Sequence, residues 1–202
     1  MVVRLHRWNA MLIGLFLLIH LISHLCGIGG APSHQQALEV VRPIYRSHFV
    51  EPGLLLSILA QIVLGTLLAM RRASSDSEWG WGRLQIVSGV YLAFFMTVHV
   101  TSALVTRNFL GLDTNFWWPA STLDHQILRL FLYPYYFFAI VALFCHAAAA
   151  AHFRGYSSKA CWLLVALGCI LSIALLAIFG SWITDARIPT EYLQPLNRLI
   201  HV

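Results

Sequence analysis

Four histidines lie inside long apolar stretches of the sequence, where an ionisable side chain is costly and therefore suggests a function. They are His20, His24, His99 and His146, and none of the stretches that hold them contains Asp, Glu, Lys or Arg. A neutral imidazole offers one bare nitrogen to iron while its N–H bonds a carbonyl or hydroxyl. Two imidazoles from facing helices can therefore hold a haem edge-on inside a bundle.

The spacing of the sequence pairs two of these histidines. A phenylalanine and a histidine follow each of two arginines, by 12 and by 16 residues: Phe16 and His20 after Arg4, and Phe95 and His99 after Arg83. At 1.5 Å per residue, each histidine lies about 24 Å along its helix from the arginine. We therefore expect His20 and His99 at equal depth on two parallel helices, as the axial ligands of one haem b per chain. The alternative is that the histidines only hydrogen-bond neighbouring helices.

The other two histidines are His24 and His146, and each has its own candidate partners. His24 lies one turn beyond His20 and could bond a haem propionate or face water. His146 precedes Arg154 by about two turns, and at its depth the second span offers only Gln61. Since an amide oxygen is a weak iron ligand compared with imidazole, we expect Gln61 and His146 to hydrogen-bond each other and to hold no haem. The remaining histidines are expected to be solvated: His6, His34, His48, His125, His152 and His201.

Long helices must position these residues. The chain of 202 residues is 59% hydrophobic and only 10% charged, whereas soluble domains carry about 25% charged residues. Five apolar runs have the roughly 20 residues that a helix needs to cross the bilayer, and they lack the alternation of barrel strands. We predict an all-α, single-domain bundle, residues 1–202, with transmembrane helices at about 8–26, 51–71, 84–105, 130–151 and 161–183. A short interfacial helix is expected between the first two.

The charge pattern argues for a lipid bilayer and against nucleic acid as the partner. The 13 basic residues that give the net charge of +5 lie between the apolar runs, where they anchor loops and orient helices. The Arg71–Arg72 pair at a helix end favours a cytoplasmic N-terminus. We expect a multi-pass protein of a plasma or inner membrane. The four cysteines form no CxxCH motif, which excludes covalent haem attachment. We expect the aromatic stretch 134–138 at the membrane interface.

Residues 4–177 resemble the five-helix cytochrome b membrane anchor of succinate dehydrogenase and fumarate reductase. The first span, RLHRWNAMLIGLFLLIHL, carries His20 where single-chain anchors have a haem ligand. The third, LQIVSGVYLAFFMTVHV, matches in the same way at His99, and the fourth at His146. The resemblance implies two haems and electron transfer between quinone and a soluble flavoprotein through iron–sulfur centres. Two positions differ: the ligand of the second helix is Gln61 here, and an arginine found in many anchors is Ile86.

The chain also resembles the transmembrane domain of a fungal mitochondrial outer-membrane adaptor protein, whose role is not enzymatic. Two functions therefore remain open, a b-type cytochrome subunit and a haem-free membrane anchor or adaptor. A transporter or proton carrier is a weaker third, because the spans lack carboxylates. The chain has no phosphate loop or hydrolase elbow, so it is at most a non-catalytic electron-transfer subunit of an oxidoreductase.

Overall fold

The computed structural model describes residues 1–73, 80–183 and 187–200, and none of these residues lies in a strand. They form eight α-helices: α1 Val2–Leu25, α2 Gly30–Tyr45, α3 Val50–Ala73, α4 Trp81–Asn108, α5 Trp117–Asp124, α6 Leu128–His152, α7 Ser158–Phe179 and α8 Thr190–Ile200. The predicted all-α class is confirmed.

Five of these helices, α1, α3, α4, α6 and α7, are long and apolar enough to cross a membrane. Each has 22 to 28 residues, which exceeds the length needed for about 30 Å of hydrocarbon. Their outward surface is apolar, and on α1 the side chains of Leu12, Leu15 and Leu18 are all more than half exposed. A soluble protein would bury such a surface, so the chain is a multi-pass membrane protein.

The helix ends depart from the predicted bounds in a few places. Helix α1 begins at Val2, six residues earlier than expected, and α7 ends at Phe179 instead of residue 183. The start of α7 is fixed by Ser157, whose hydroxyl accepts the backbone N–H of Ala160. The expected interfacial helix is present as α2, whereas α5 and α8 were not predicted.

The five spans form a ring in which neighbours pack in the order α1, α3, α4, α6, α7 and back to α1. The α6–α7 pair packs most closely, since a Cβ on Gly168 would lie 2.5 Å from Cβ of Phe144. In this order α1 and α4 are not neighbours, so their inward faces meet across the interior of the ring. This arrangement brings the two predicted haem ligands towards each other.

The buried core lies at one end of the bundle, which we call the far end, where α1 and α4 finish and α3 and α6 start. The opposite end, where α1 starts, is the N-terminal end. Phe116 of the α4–α5 loop packs with Leu123 of α5 and Ile178 of α7. A Cβ on Gly27 would lie 2.8 Å from Ile178 Cγ2, so the turn after α1 rests directly on α7. Helices α2 and α5 therefore cover the far end of the ring.

Candidate functional site

His20 of α1 and His99 of α4 face each other in the far half of the bundle. Their ring centroids are 6.2 Å apart, with the ring planes at 74°, so the predicted equal depth is confirmed. Phe16 stacks on His20 at 5.4 Å and Phe95 stacks on His99 at 5.0 Å. The sequence repeat is thus also a structural repeat, in which each imidazole is held by the phenylalanine one turn before it.

This separation fits two axial ligands on one iron. A metal–imidazole bond is about 2 Å long and the ring centre lies about 1 Å behind the nitrogen, so two opposed ligands have centroids about 6 Å apart. The ring nitrogens of His99 make no hydrogen bond with the residues that the structure describes. One of them is therefore available as a ligand.

The two histidines line an apolar cavity of about 320 Å³, which we call the histidine cavity. This volume is at the lower end of the range for small-molecule sites. Arg46 and Arg107 also line it, on the side of the far end. Arg107 pairs with Glu51 at 2.5 Å, and Arg46 lies 3.5 Å from Asp113. An apolar slot, two imidazoles and two guanidiniums are the kinds of groups that hold a haem b and its propionates, and Glu51, the partner of Arg107, lines the same cavity.

His24 joins His20 to a third histidine that the sequence did not indicate. Its Nε2 lies 3.1 Å from Nε2 of His20, and its Nδ1 lies 3.0 Å from Nε2 of His34 on α2. His34 is completely buried and its Nδ1 has no partner among the described residues. The expectation that His34 is solvated is wrong. Its spacing of four residues from buried Leu38 on the amphipathic α2 was the available signal.

The hydrogens of this chain of imidazoles can be assigned from the unpartnered nitrogen of His34. Because a buried N–H without an acceptor is rarer than a buried acceptor without a donor, Nδ1 of His34 is taken as the bare nitrogen. His34 then donates to His24, and His24 donates to Nε2 of His20. The lone pair of His20 that could bind iron is therefore engaged by His24. Haem binding at His20 requires the His24 ring to turn away.

The aromatic stretch of α6 contributes to the interior. Tyr135 is 5% exposed, and its hydroxyl donates to the backbone carbonyl of Phe95 at 3.2 Å. Tyr135 also packs on the Phe95 ring at 4.8 Å. The expected interfacial position is therefore wrong for Tyr135, which supports the phenylalanine that stacks on His99.

Gln61 and His146 do not bond each other, so that prediction is wrong. Asn9 donates to Gln61 Oε1 at 2.8 Å, which leaves the Gln61 amide nitrogen to donate to Nε2 of His6 at 3.3 Å. His6 is thus packed against α3, and the expectation that it is solvated is also wrong. Nδ1 of His146 lies 3.1 Å from the carbonyl of Gln85 and donates to it. The expectation compared only the depths of Gln61 on α3 and His146 on α6. The actual partners of Gln61, Asn9 and His6, lie on α1.

The side chains of His6, Gln61 and His146 line a second cavity in the N-terminal half, of about 520 Å³. Arg7, Arg72 and Arg154 line the same space, and we call it the arginine cavity. Five apolar side chains line both cavities and form the layer between them: Leu17, Ile58, Leu92, Met96 and Leu143.

Of the remaining histidines, His48 is exposed as expected and His125 is partly exposed, while His201 lies outside the described residues. His152 stacks on Trp81 at 4.9 Å and its Nδ1 is buried, so the expectation that it is solvated is wrong. In the described part of the chain, no group of three or more His, Cys, Asp or Glu is placed to hold a metal ion.

Comparisons with protein-family models, with curated proteins and with solved structures found no match to this chain.

Proposed function

We propose that the protein is a b-type cytochrome-like membrane-anchor subunit that binds one haem b between His20 and His99. The observation that supports this best is the 6.2 Å separation of the two imidazole centroids across an apolar cavity. The separation is close to that of two opposed ligands on one iron.

The residues around the cavity have distinct parts in this proposal. His20 and His99 are the iron ligands, and Phe16 and Phe95 hold their rings by stacking. Arg46 and Arg107 would bind the propionates at the mouth with N–H groups that their acidic partners leave open, because Arg107 bonds Glu51 through Nη2 only and Nε of Arg46 has no partner among the described residues. Helices α2 and α5 keep water from the far end. The haem supplies one-electron transfer, and the protein tunes its potential through ligands and burial.

The partners follow from the resemblance to the cytochrome b anchors. In the proposed complex a flavoprotein and an iron–sulfur subunit exchange electrons with a quinone pool through this chain, which has no dehydrogenase site of its own. Because Ile86 replaces the arginine of many anchors, no quinone position is assigned. The proposed location is a plasma or inner membrane with the N-terminus in the cytoplasm.

A reduced-minus-oxidised visible spectrum of the purified protein, produced with ample haem, tests the proposal. We expect the sharp α-band of a low-spin bis-imidazole haem. If no α-band develops on reduction, the cytochrome assignment is wrong and the haem-free anchor stands.

One observation favours the haem-free anchor or adaptor as the second candidate. His24 holds Nε2 of His20 at 3.1 Å and is itself held by His34. This chain of imidazoles ties α1 to α2 without any cofactor. If the histidines have only this role, a spectrum without an α-band should accompany a loss of stability in His24→Ala.

Cysteine labelling tests the proposed orientation. In a variant without the four native cysteines, Tyr156→Cys lies in the exposed α6–α7 loop and Gln126→Cys in the exposed α5–α6 loop. An impermeant maleimide should reach position 126 only from outside and position 156 only from the cytoplasm. Labelling from the reverse sides would reject the orientation, and labelling of both from one side would reject the five-span topology.

A further inference from the structure

The arginine cavity joins an apolar interior to a positively charged mouth. On α1 its lining runs from Val3 to Leu17, which is about 21 Å at 1.5 Å per residue; the part beyond Arg7 is about 15 Å, roughly half of the hydrocarbon thickness. Most of its wall is apolar, and small residues such as Gly14 keep it wide. A ligand that fills it therefore has a long apolar part.

Two of the three arginines of this cavity have no partner within the described ranges. The side chains of Arg7 and Arg154 make no ion pair or hydrogen bond with the described residues. The third arginine, Arg72, bonds Gln85 and lies over the ring of Phe153 at 5.8 Å. A ligand that complements the mouth therefore carries negative charge.

From these two features we propose that the arginine cavity binds an anionic phospholipid. Its phosphate is held by Arg7, Arg72 and Arg154, and one acyl chain enters the apolar part of the cavity. Basic pockets between transmembrane helices recognise such headgroups, and each arginine near the membrane surface contributes about a fivefold increase in affinity. A zwitterionic lipid offers the same chains with less net charge, so the charge should decide the selection.

The test measures lipid binding to the purified full-length chain in a non-ionic detergent by native mass spectrometry. Dioleoyl phosphatidylglycerol and dioleoyl phosphatidylcholine differ in headgroup charge and share their chains. We expect about one phosphatidylglycerol per chain, bound at least tenfold more tightly than phosphatidylcholine. Equal binding of the two lipids would overturn the proposal.

Arginine variants distinguish the cavity from general surface charge. Arg7→Gln and Arg154→Gln should each weaken phosphatidylglycerol binding about fivefold. Arg4→Gln is the matched control, because Arg4 is exposed at the same end of α1 but does not line the cavity. If Arg4→Gln weakens binding as much as Arg7→Gln, the lipid follows surface charge and the proposed site is wrong.

A cavity-filling variant tests the apolar part without removing a charge. A Cβ on Gly14 would meet nothing within 4 Å, so Gly14→Leu should fold normally and place its side chain in the cavity. Gly53→Leu is the control, because Gly53 is equally open and lines neither cavity. We expect Gly14→Leu to lose phosphatidylglycerol and Gly53→Leu to retain it. Wild-type binding in Gly14→Leu would overturn the proposal.

Two competing occupants give different results in the same experiment. Inorganic phosphate alone should not displace the lipid, and displacement would mean that the site is only an anion site. A second haem in this cavity would add its mass and exclude the lipid, which would also overturn the proposal.

Discussion

The two ends of the bundle differ in what their arginines contact. At the far end, Arg42 lies 2.7 Å from Asp113 and Arg107 lies 2.5 Å from Glu51. At the N-terminal end, Arg7 and Arg154 have no such partner among the described residues. The paired charges fix α2 and α3 to the α4 side of the bundle, while Arg7 and Arg154 remain available for a ligand.

The histidines of the two halves also differ in what they contact. In the far half, His20 and His99 approach each other across an apolar space. In the N-terminal half, the amide of Gln61 is occupied by Asn9 and His6, and His146 is oriented by the Gln85 carbonyl. The far half therefore holds two imidazoles at the separation expected for two ligands of one iron. We expect a haem to bind there and not in the N-terminal half.

The largest expected effect is the loss of the haem spectrum on removal of either far-half imidazole. His20→Ala and His99→Ala should each abolish the low-spin α-band, because one axial ligand is lost. His146→Ala is the control and should leave the band nearly intact. If His146→Ala destroys the band and His20→Ala does not, haem is bound in the arginine cavity instead.

The second effect is one of stoichiometry. We expect at most one haem per chain by the pyridine haemochrome assay, since Gln61 cannot replace an imidazole and its amide is already hydrogen-bonded. Gln61→His supplies a second imidazole near His146 and should raise the number of haems per chain towards two once the new side chain is released from Asn9. Two haems in the wild-type chain would contradict the expectation that only the far half binds haem.

The sequence predicted the spans and the His20–His99 pair because both depend on local periodicity. Apolar length fixes the spans, and equal spacing from two arginines fixes equal depth on parallel helices. It did not predict the contact of His34 with His24, because that depends on how α2 folds back over the bundle. The prediction of a Gln61–His146 bond was wrong for a similar reason, because equal depth does not show which helix lies beside Gln61. Asn9 and His6 of α1 are its partners.

The third prediction compares a paired carboxylate with an unpaired arginine. Asp113→Asn removes the charge that Arg42 and Arg46 share and should lower the free energy of unfolding in detergent by about 1–2 kcal/mol. Arg154→Gln, measured without added lipid, should change it by less than about 0.5 kcal/mol. Equal losses in the two variants would show that the ends do not differ in this way.

The smallest effect concerns His24, which in the proposed function would compete with iron for the lone pair of His20. His24→Ala removes a hydrogen bond worth about 0.5–1.5 kcal/mol, so haem affinity should rise by about twofold to twelvefold in a titration of apo-protein. His34→Ala is the control, because it leaves the His20–His24 bond in place and should raise affinity less. If both variants weaken haem binding instead, His24 supports the bound haem and the assigned direction of the chain of imidazoles is wrong. A higher affinity in His24→Ala alone would show that His20 gives up its hydrogen bond with His24 when it binds haem iron.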